Sequence, residues 1–288
     1  MKTILAAATL LIASTSLAAE PPMRQHFKDE SYGEAGHKHQ TFEVWTPDVN
    51  YGSKGYPVII WIHGGGWRQG DKSAVQEKPQ AFVDNNYVFI SINYRLAPQV
   101  TIKEMAGDVA KAIRRAYGVA GKYGGDQQNI FVMGHSAGAH LAALVCTDER
   151  YLKAEGLDLS IIKGCIPVDT AAYDIAGRFA SADSGPKAKK GASVFGSDPA
   201  VHKDLSPITH VAKGKSIPPF LILHVADRAE SKSQSQLFAK TLEAAGVSAT
   251  VVAAEGKTHG TINSDLGKPD DKPTKAVFEF LNKHSKRL

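Results

Sequence analysis

Cysteine is scarce in this chain: Cys146 and Cys165 are the only two among 288 residues. Two thiols cannot enclose a metal by themselves, so a cysteine-based zinc or iron–sulfur module is excluded. Cys146 falls ten residues after Ser136, about 15 Å along a helix, and Cys165 starts an apolar run; spacing leaves open whether they are bridged. Long hydrophobic runs are also lacking. The one conspicuous stretch, 4–12, is too short to span a bilayer, follows Lys2 and precedes the small residues Ser16 and Ala18. That is the pattern of a secretory signal peptide cleaved after Ala18, so a periplasmic or secreted location without a membrane anchor is expected. Charge of one sign is not dominant. The formal +5 is spread thinly apart from Lys187, Lys189 and Lys190 in a Gly/Ser/Ala-rich loop, which argues against nucleic acid as a partner. No internal repeat is visible.

What remains, 19–288, has the length and apolar content for one large core, with one domain expected rather than two. Residues 20–38 are polar and expected to be irregular. His37 and His39 have the spacing that puts two residues on one strand face, but no third ligand lies near them, and no metal is expected. Stretch 40–46 alternates like an edge strand. Near-continuous apolar runs at 58–62, 87–92, 161–168 and 220–225 suit strands buried on both faces, and 250–253 is a weaker strand. Helical patterns at 76–84, 102–120, 231–245 and 274–283 alternate with them, so the fold expected is a mostly parallel, doubly wound α/β sheet with helices on both faces. The Gly/Ser/Lys-rich excursion 176–214 breaks that rhythm and is expected to wall or partly cover a pocket.

The chain is organised around 130–138. An apolar strand meets Gly134-His135-Ser136-Ala137-Gly138, and an Ala/Leu-rich helix follows at once. Strand, sharp turn bearing serine, and helix are the context of a nucleophile elbow. Serine needs a base to take its proton and an acid to orient that base, in the chain order serine, acid, histidine. His259, in a loop after the 250–253 strand, has room for an acid before it. Asp227, directly after the 220–226 run, is the expected acid, with a helix cap as its bland alternative. His63-Gly64-Gly65-Gly66-Trp67 follows the 58–62 strand. Its glycine amides, Gly65 and Gly66 foremost and Gly64 as an alternative, are expected to join the amide of Ala137 in holding an oxyanion. Trp67 is expected to wall the substrate pocket.

Taken with Tyr32-Gly33, Gly70-Asp71-Lys72 and the run Asn93 to Pro98, these motifs cover nearly all of the chain after the leader. The chain resembles the α/β-hydrolase superfamily, in the carboxylesterase/lipase branch akin to hormone-sensitive lipase. Within it, it is similar to bacterial esterases related to kynurenine formamidases and to feruloyl or acetyl-xylan esterases. The resemblance implies an α/β-hydrolase fold, a Ser136–Asp227–His259 triad and no cofactor. It departs from many lipases in lacking a large helical cap, since 20–38 is short, and an open pocket for a short-chain, aryl or carbohydrate ester is therefore expected. An amide-cleaving formamidase of the same architecture is the alternative, and a non-catalytic binding module on this fold is the more distant one.

Overall fold

The computed structural model describes residues 25–33, 36–47, 55–180 and 194–285. The expected leader and the lysines of the 187–190 loop lie outside them. Eight strands form one sheet in the order β1-β2-β4-β3-β5-β6-β7-β8: β1 Gln25–Ser31, β2 Thr41–Thr46, β3 Tyr56–Ile62, β4 Val88–Ile92, β5 Gly125–His135, β6 Ile162–Val168, β7 Phe220–Val225 and β8 Ala249–Ala254. β1 runs antiparallel to β2 and β2 to β4, while every pairing from β4 through β8 is parallel. The α/β-hydrolase fold follows.

The parallel core follows from composition. Every residue of β3, β4 and β7 is buried, because helices cover both faces of a sheet joined by crossovers. One layer holds α2 (Ile102–Val119), α3 (Ala137–Thr147) and the helix 229–244, whose Phe238 and Leu242 pack with Ile60, Val132 and Phe220. The other holds α1 (Lys78–Asp84) and the C-terminal helix 272–284, whose Phe82, Val277 and Leu281 pack with Phe89, Phe131 and Leu223. Each such side chain contributes about 1.5–3 kcal/mol on burial. α2 begins with a capping box, Thr101 Oγ1 accepting from the amide of Glu104 while Glu104 accepts from the amide of Thr101.

Two sequence expectations need correction. Residues 25–31 are not irregular but form β1, the edge strand; its one-sided, mostly polar face hides it from a search for apolar runs. The 41–46 strand is therefore interior. His37 and His39 lie in the loop between β1 and β2, not on a strand face, because Gly33 and Gly36 end the extended run. Cys146 and Cys165 are both buried and unbridged; burial raises the Cys165 thiol, with the Cys146 thiol its hydrogen-bond partner. Among the described residues no helix is long and apolar enough to cross a membrane. The excursion is less shapeless than its composition suggests: α4 (Glu149–Ala154) precedes it, and α5 (Ile175–Ala180) and α6 (Pro199–Asp204) lie within it.

One buried charge stands out. Lys78 is fully buried, its Nζ 4.6 Å over the Trp61 ring, and donates to the carbonyl of Asn263 at 2.8 Å and to Gln76 Oε1 at 3.2 Å. Burial pushes its ammonium down to about 7 from an ordinary 10.5. Between those values the unfolded chain binds the extra proton, so the wild type gains stability as pH rises through that window. Lys78→Met removes this dependence. The stability difference should move in favour of the wild type, by on the order of a few kcal/mol, between about pH 7 and 10. Urea melts of both proteins across that range check it; a constant difference would contradict it.

Candidate active site

The elbow is built by close packing. A Cβ on Gly138 would lie 2.2 Å from the Ile62 carbonyl oxygen, and one on Gly134 would lie 2.5 Å from that of Gly138. Only glycine lets β5 turn into α3 against β3 in this way. Ser136 itself takes φ 55° and ψ −112°, a conformation that costs on the order of 1–3 kcal/mol. The hydrogen bond from its amide to the Val168 carbonyl, 2.9 Å, helps hold it there. The turn sets Ser136 at the N-cap of α3, where the helix dipole favours negative charge.

Ser136 Oγ stands 2.9 Å from His259 Nε2. His259 is carried by the loop after β8, which is pinned on both sides. Lys257 pairs with Asp265 at 2.8 Å and Asp271 at 2.6 Å, and the amide of Thr258 donates to Thr261 Oγ1 at 2.8 Å. The structure thus brings together two residues that lie 123 positions apart.

The carboxylate at His259 is not the expected one. Nδ1 of His259 lies 2.6 Å from Oδ2 of Asp169, the residue immediately after β6. Asp227 is exposed in the turn after β7, without a hydrogen bond to His259. At that turn the chain directs Arg228 inward instead, and its Nη1 pairs with Asp169 Oδ2. Oδ1 of Asp169 accepts from Ser231 Oγ at 2.6 Å and from the amide of Val225 at 3.1 Å. Burial alone would raise this carboxyl, but His259, Ser231, the Val225 amide and Arg228 together hold it well below the usual carboxylate range. Arg228 Nη1 is also 2.7 Å from His259 Nδ1. Both nitrogens converge on one oxygen, the arrangement in which each donates to Oδ2 and the imidazole keeps its Nδ1 proton.

A second residue, His135, carries no signal in the sequence beyond its place in the elbow. Its Nε2 lies 2.9 Å from the His259 carbonyl oxygen and its ring 4.6 Å from that of His259. Burial, with His259 adding to it, pushes His135 down to about 3. It is therefore a neutral imidazole whose Nε2–H donates to that carbonyl and fixes the backbone of the loop.

Gly65 and Gly66 have φ of +124° and +62°. The amides of Gly65, Gly66 and Ala137 have no hydrogen-bond acceptor among the described residues. Gly64 packs on the elbow, where a Cβ would lie 3.3 Å from that of Ser136. The loop is clamped from behind: His63 Nδ1–H donates to the Gly64 carbonyl at 2.7 Å, its ring stacks on Tyr94 at 4.4 Å, and burial lowers it to about 4. Trp67 is part-buried, edge-on to Phe195 at 4.8 Å and to His140 at 5.6 Å. The excursion thus returns to the Trp67 ring through Phe195. Among the described residues no group of three or more His, Cys, Asp or Glu could hold a metal.

The BD-FAE family model matches residues 43–242. A probable isoprenylcysteine alpha-carbonyl methylesterase from Oryza sativa subsp. japonica is 31% identical over 218 residues, 70% of this chain and 51% of that protein. Esterase LipQ from Mycobacterium tuberculosis is 30% identical over 273 residues, 88% of this chain and 61% of its own length. The chain spans about half the length of the methylesterases it matches. Among solved structures, a truncated carbohydrate esterase from gut microbiota superposes with a TM-score of 0.76 at 23% identity, covering 93% of this chain and 99% of that one. Esterase B from Lactobacillus rhamnosis superposes with a TM-score of 0.72 at 20% identity, covering 92% and 86%. These two likenesses are of fold. The matched family model spans the serine elbow, the glycine loop and Asp169, and the chain belongs to the BD-FAE family.

Proposed function

We propose that this chain is a serine carboxylic-ester hydrolase that works through an acyl-enzyme on short-chain, small aryl or carbohydrate esters, and that it is exported. The observation that carries the chemistry is the unbroken line Ser136 Oγ, His259 imidazole, Asp169 carboxylate, at 2.9 and 2.6 Å, beside amides that have no acceptor among the described residues. The esterase names of its relatives support the same class, and the leader-like first eighteen residues support export.

In this proposal Ser136 attacks the ester carbonyl while His259 Nε2 takes its proton. Asp169 holds the Nδ1–H tautomer that leaves Nε2 free to accept. The amides of Gly65, Gly66 and Ala137 receive the oxyanion; one such donor is typically worth about 10²–10³ in turnover. His259 then protonates the departing alcohol, and water reverses the sequence. A preference for short acyl groups is supported by Trp67, wedged between Phe195 and His140. It is further supported by the described N-terminal residues, which form the sheet edge and no helical cap.

Two outcomes follow. Asp169→Asn should lower kcat on an aryl acetate by on the order of 10³–10⁴-fold, while Asp227→Asn stays within about threefold of wild type. Steady-state kinetics on both variants decides between the two carboxylates, and the reverse pattern would place the acid at Asp227. Across acetate, butyrate and decanoate aryl esters, kcat/KM should fall with length. A decanoate optimum would refute the short-acyl site, and faster cleavage of N-formylkynurenine than of the acetate would favour a formamidase.

A further inference from the structure

Arg228 stands where local preference would put another residue. It is the N-cap of the helix 229–244, makes no side-chain capping bond there, and sets a cation at the positive end of that helix. Ser, Thr, Asn or Asp would serve the helix better. What the arginine gains lies in the other direction, across the top of the sheet. There its Nη1 pairs with Asp169 Oδ2 and lies 2.7 Å from His259 Nδ1.

Satisfying Asp169 does not require a cation. Oδ1 accepts from Ser231 Oγ and the Val225 amide, and Oδ2 from His259 Nδ1; a neutral amide could fill the place that is left. Arginine adds a permanent positive charge, since a guanidinium keeps its proton at any working pH. That charge faces the edge of the imidazole that carries the Nδ1 proton. The other titratable groups around His259 do not offset it. His135, from β5, is neutral and donates to the His259 carbonyl. Lys78, from α1, reaches the same segment through the Asn263 carbonyl. On the loop itself Lys257 is paired with Asp265 and Asp271. Glu230, two residues past Arg228, is engaged by Arg178 at 2.5 Å, and Asp227 and Glu255 are exposed. Among the described residues Asp169 is thus the carboxylate that meets the ring, and Arg228 the cation that shares it.

We infer that Arg228 is a positioning residue of the triad, which shares Asp169 Oδ2 with His259, disfavours the protonated imidazole and so keeps the esterase working into mildly acidic solution. The inference rests on the esterase proposal and deepens it. Where a carboxylate faces an imidazole alone, its full negative charge favours the imidazolium. Here a guanidinium on the same oxygen counters part of that charge. A second effect is direct: once the ring is protonated, two cations stand 2.7 Å apart, nitrogen to nitrogen. Relative to the same triad without the guanidinium, the ring takes its proton at lower pH, and less enzyme is idle as pH falls. The proton path is unchanged, from Ser136 Oγ to Nε2 and from Nε2 to the departing alcohol oxygen, and Arg228 makes and breaks no bond. Its charge makes the imidazolium a stronger acid toward that oxygen and the imidazole a weaker base.

The test follows kcat/KM for p-nitrophenyl acetate across about pH 4.5–8.5, the range in which an imidazole titrates. It compares the wild type with Arg228→Lys and two neutral variants, Arg228→Gln and Arg228→Asn. Asn supplies the helix cap that arginine does not, which protects the fold in that variant. The reading is the midpoint of the acid limb relative to each protein's own plateau. A merely structural role lowers the plateau and leaves that midpoint in place. Both neutral variants should have the midpoint moved up by about one pH unit, a factor of about ten in the protonation equilibrium. Arg228→Lys, which keeps the charge, should stay within about 0.3 unit of the wild type. Proton NMR of the His259 ring, titrated in the same four proteins, reads the same displacement without a substrate. An unmoved midpoint in both neutral variants would overturn the inference. So would a midpoint in Arg228→Lys displaced as far as in Arg228→Gln, because shape and not charge would then be what the arginine supplies. Absence of p-nitrophenyl acetate turnover in the wild type would count against the esterase proposal alone, and the histidine titration would still decide the role of Arg228.

Discussion

A carboxylate with no exposed surface, Asp169, organises the top of this sheet. Its two oxygens take donors from His259, Arg228, Ser231 and the amide of Val225. These belong to the loop after β8, the turn after β7, the helix that follows it, and the last residue of β7. Left unpaired, a buried charge would cost several kcal/mol; fully paired, it locks three loops in register. The same oxygen that neutralises Arg228 orients the imidazole, so the ion pair and the proposed catalytic geometry stand or fall together.

The serine side is held by packing, not charge. Gly134 and Gly138 let β3, β5 and α3 meet at backbone distance, and neutral His135 ties the elbow strand to the His259 carbonyl. His63, stacked on Tyr94, steadies the glycine loop from beneath. Both histidines are kept uncharged by burial, so two imidazoles beside the site act as fixed neutral hydrogen-bond donors. The proposed base, His259, is more open to solvent, with 41% of its side chain exposed.

The parallel strands were legible because residues buried on both faces leave apolar runs, and the serine elbow because strand, Gly-x-Ser-x-Gly and helix adjoin in sequence. His259 was legible from chain order. The acid was not. Asp169 and Asp227 both follow apolar strands, β6 and β7, that are neighbours in the sheet, so position after a strand describes either. A usable signal was present in Arg228: an arginine beside one candidate acid needs a carboxylate partner, and the buried acid one strand over supplies it. β1 was missed because an edge strand shows water one face and leaves no apolar run.

The central claim is that the proton on His259 Nδ1 points at Asp169. Proton NMR of protein carrying isotope-labelled histidine observes that proton directly. A strongly deshielded imidazole N–H assigned to His259 Nδ1 is expected in the wild type, and its loss is expected in Asp169→Asn. An Nε2-protonated His259, with Nδ1 bare and facing Arg228, would contradict it.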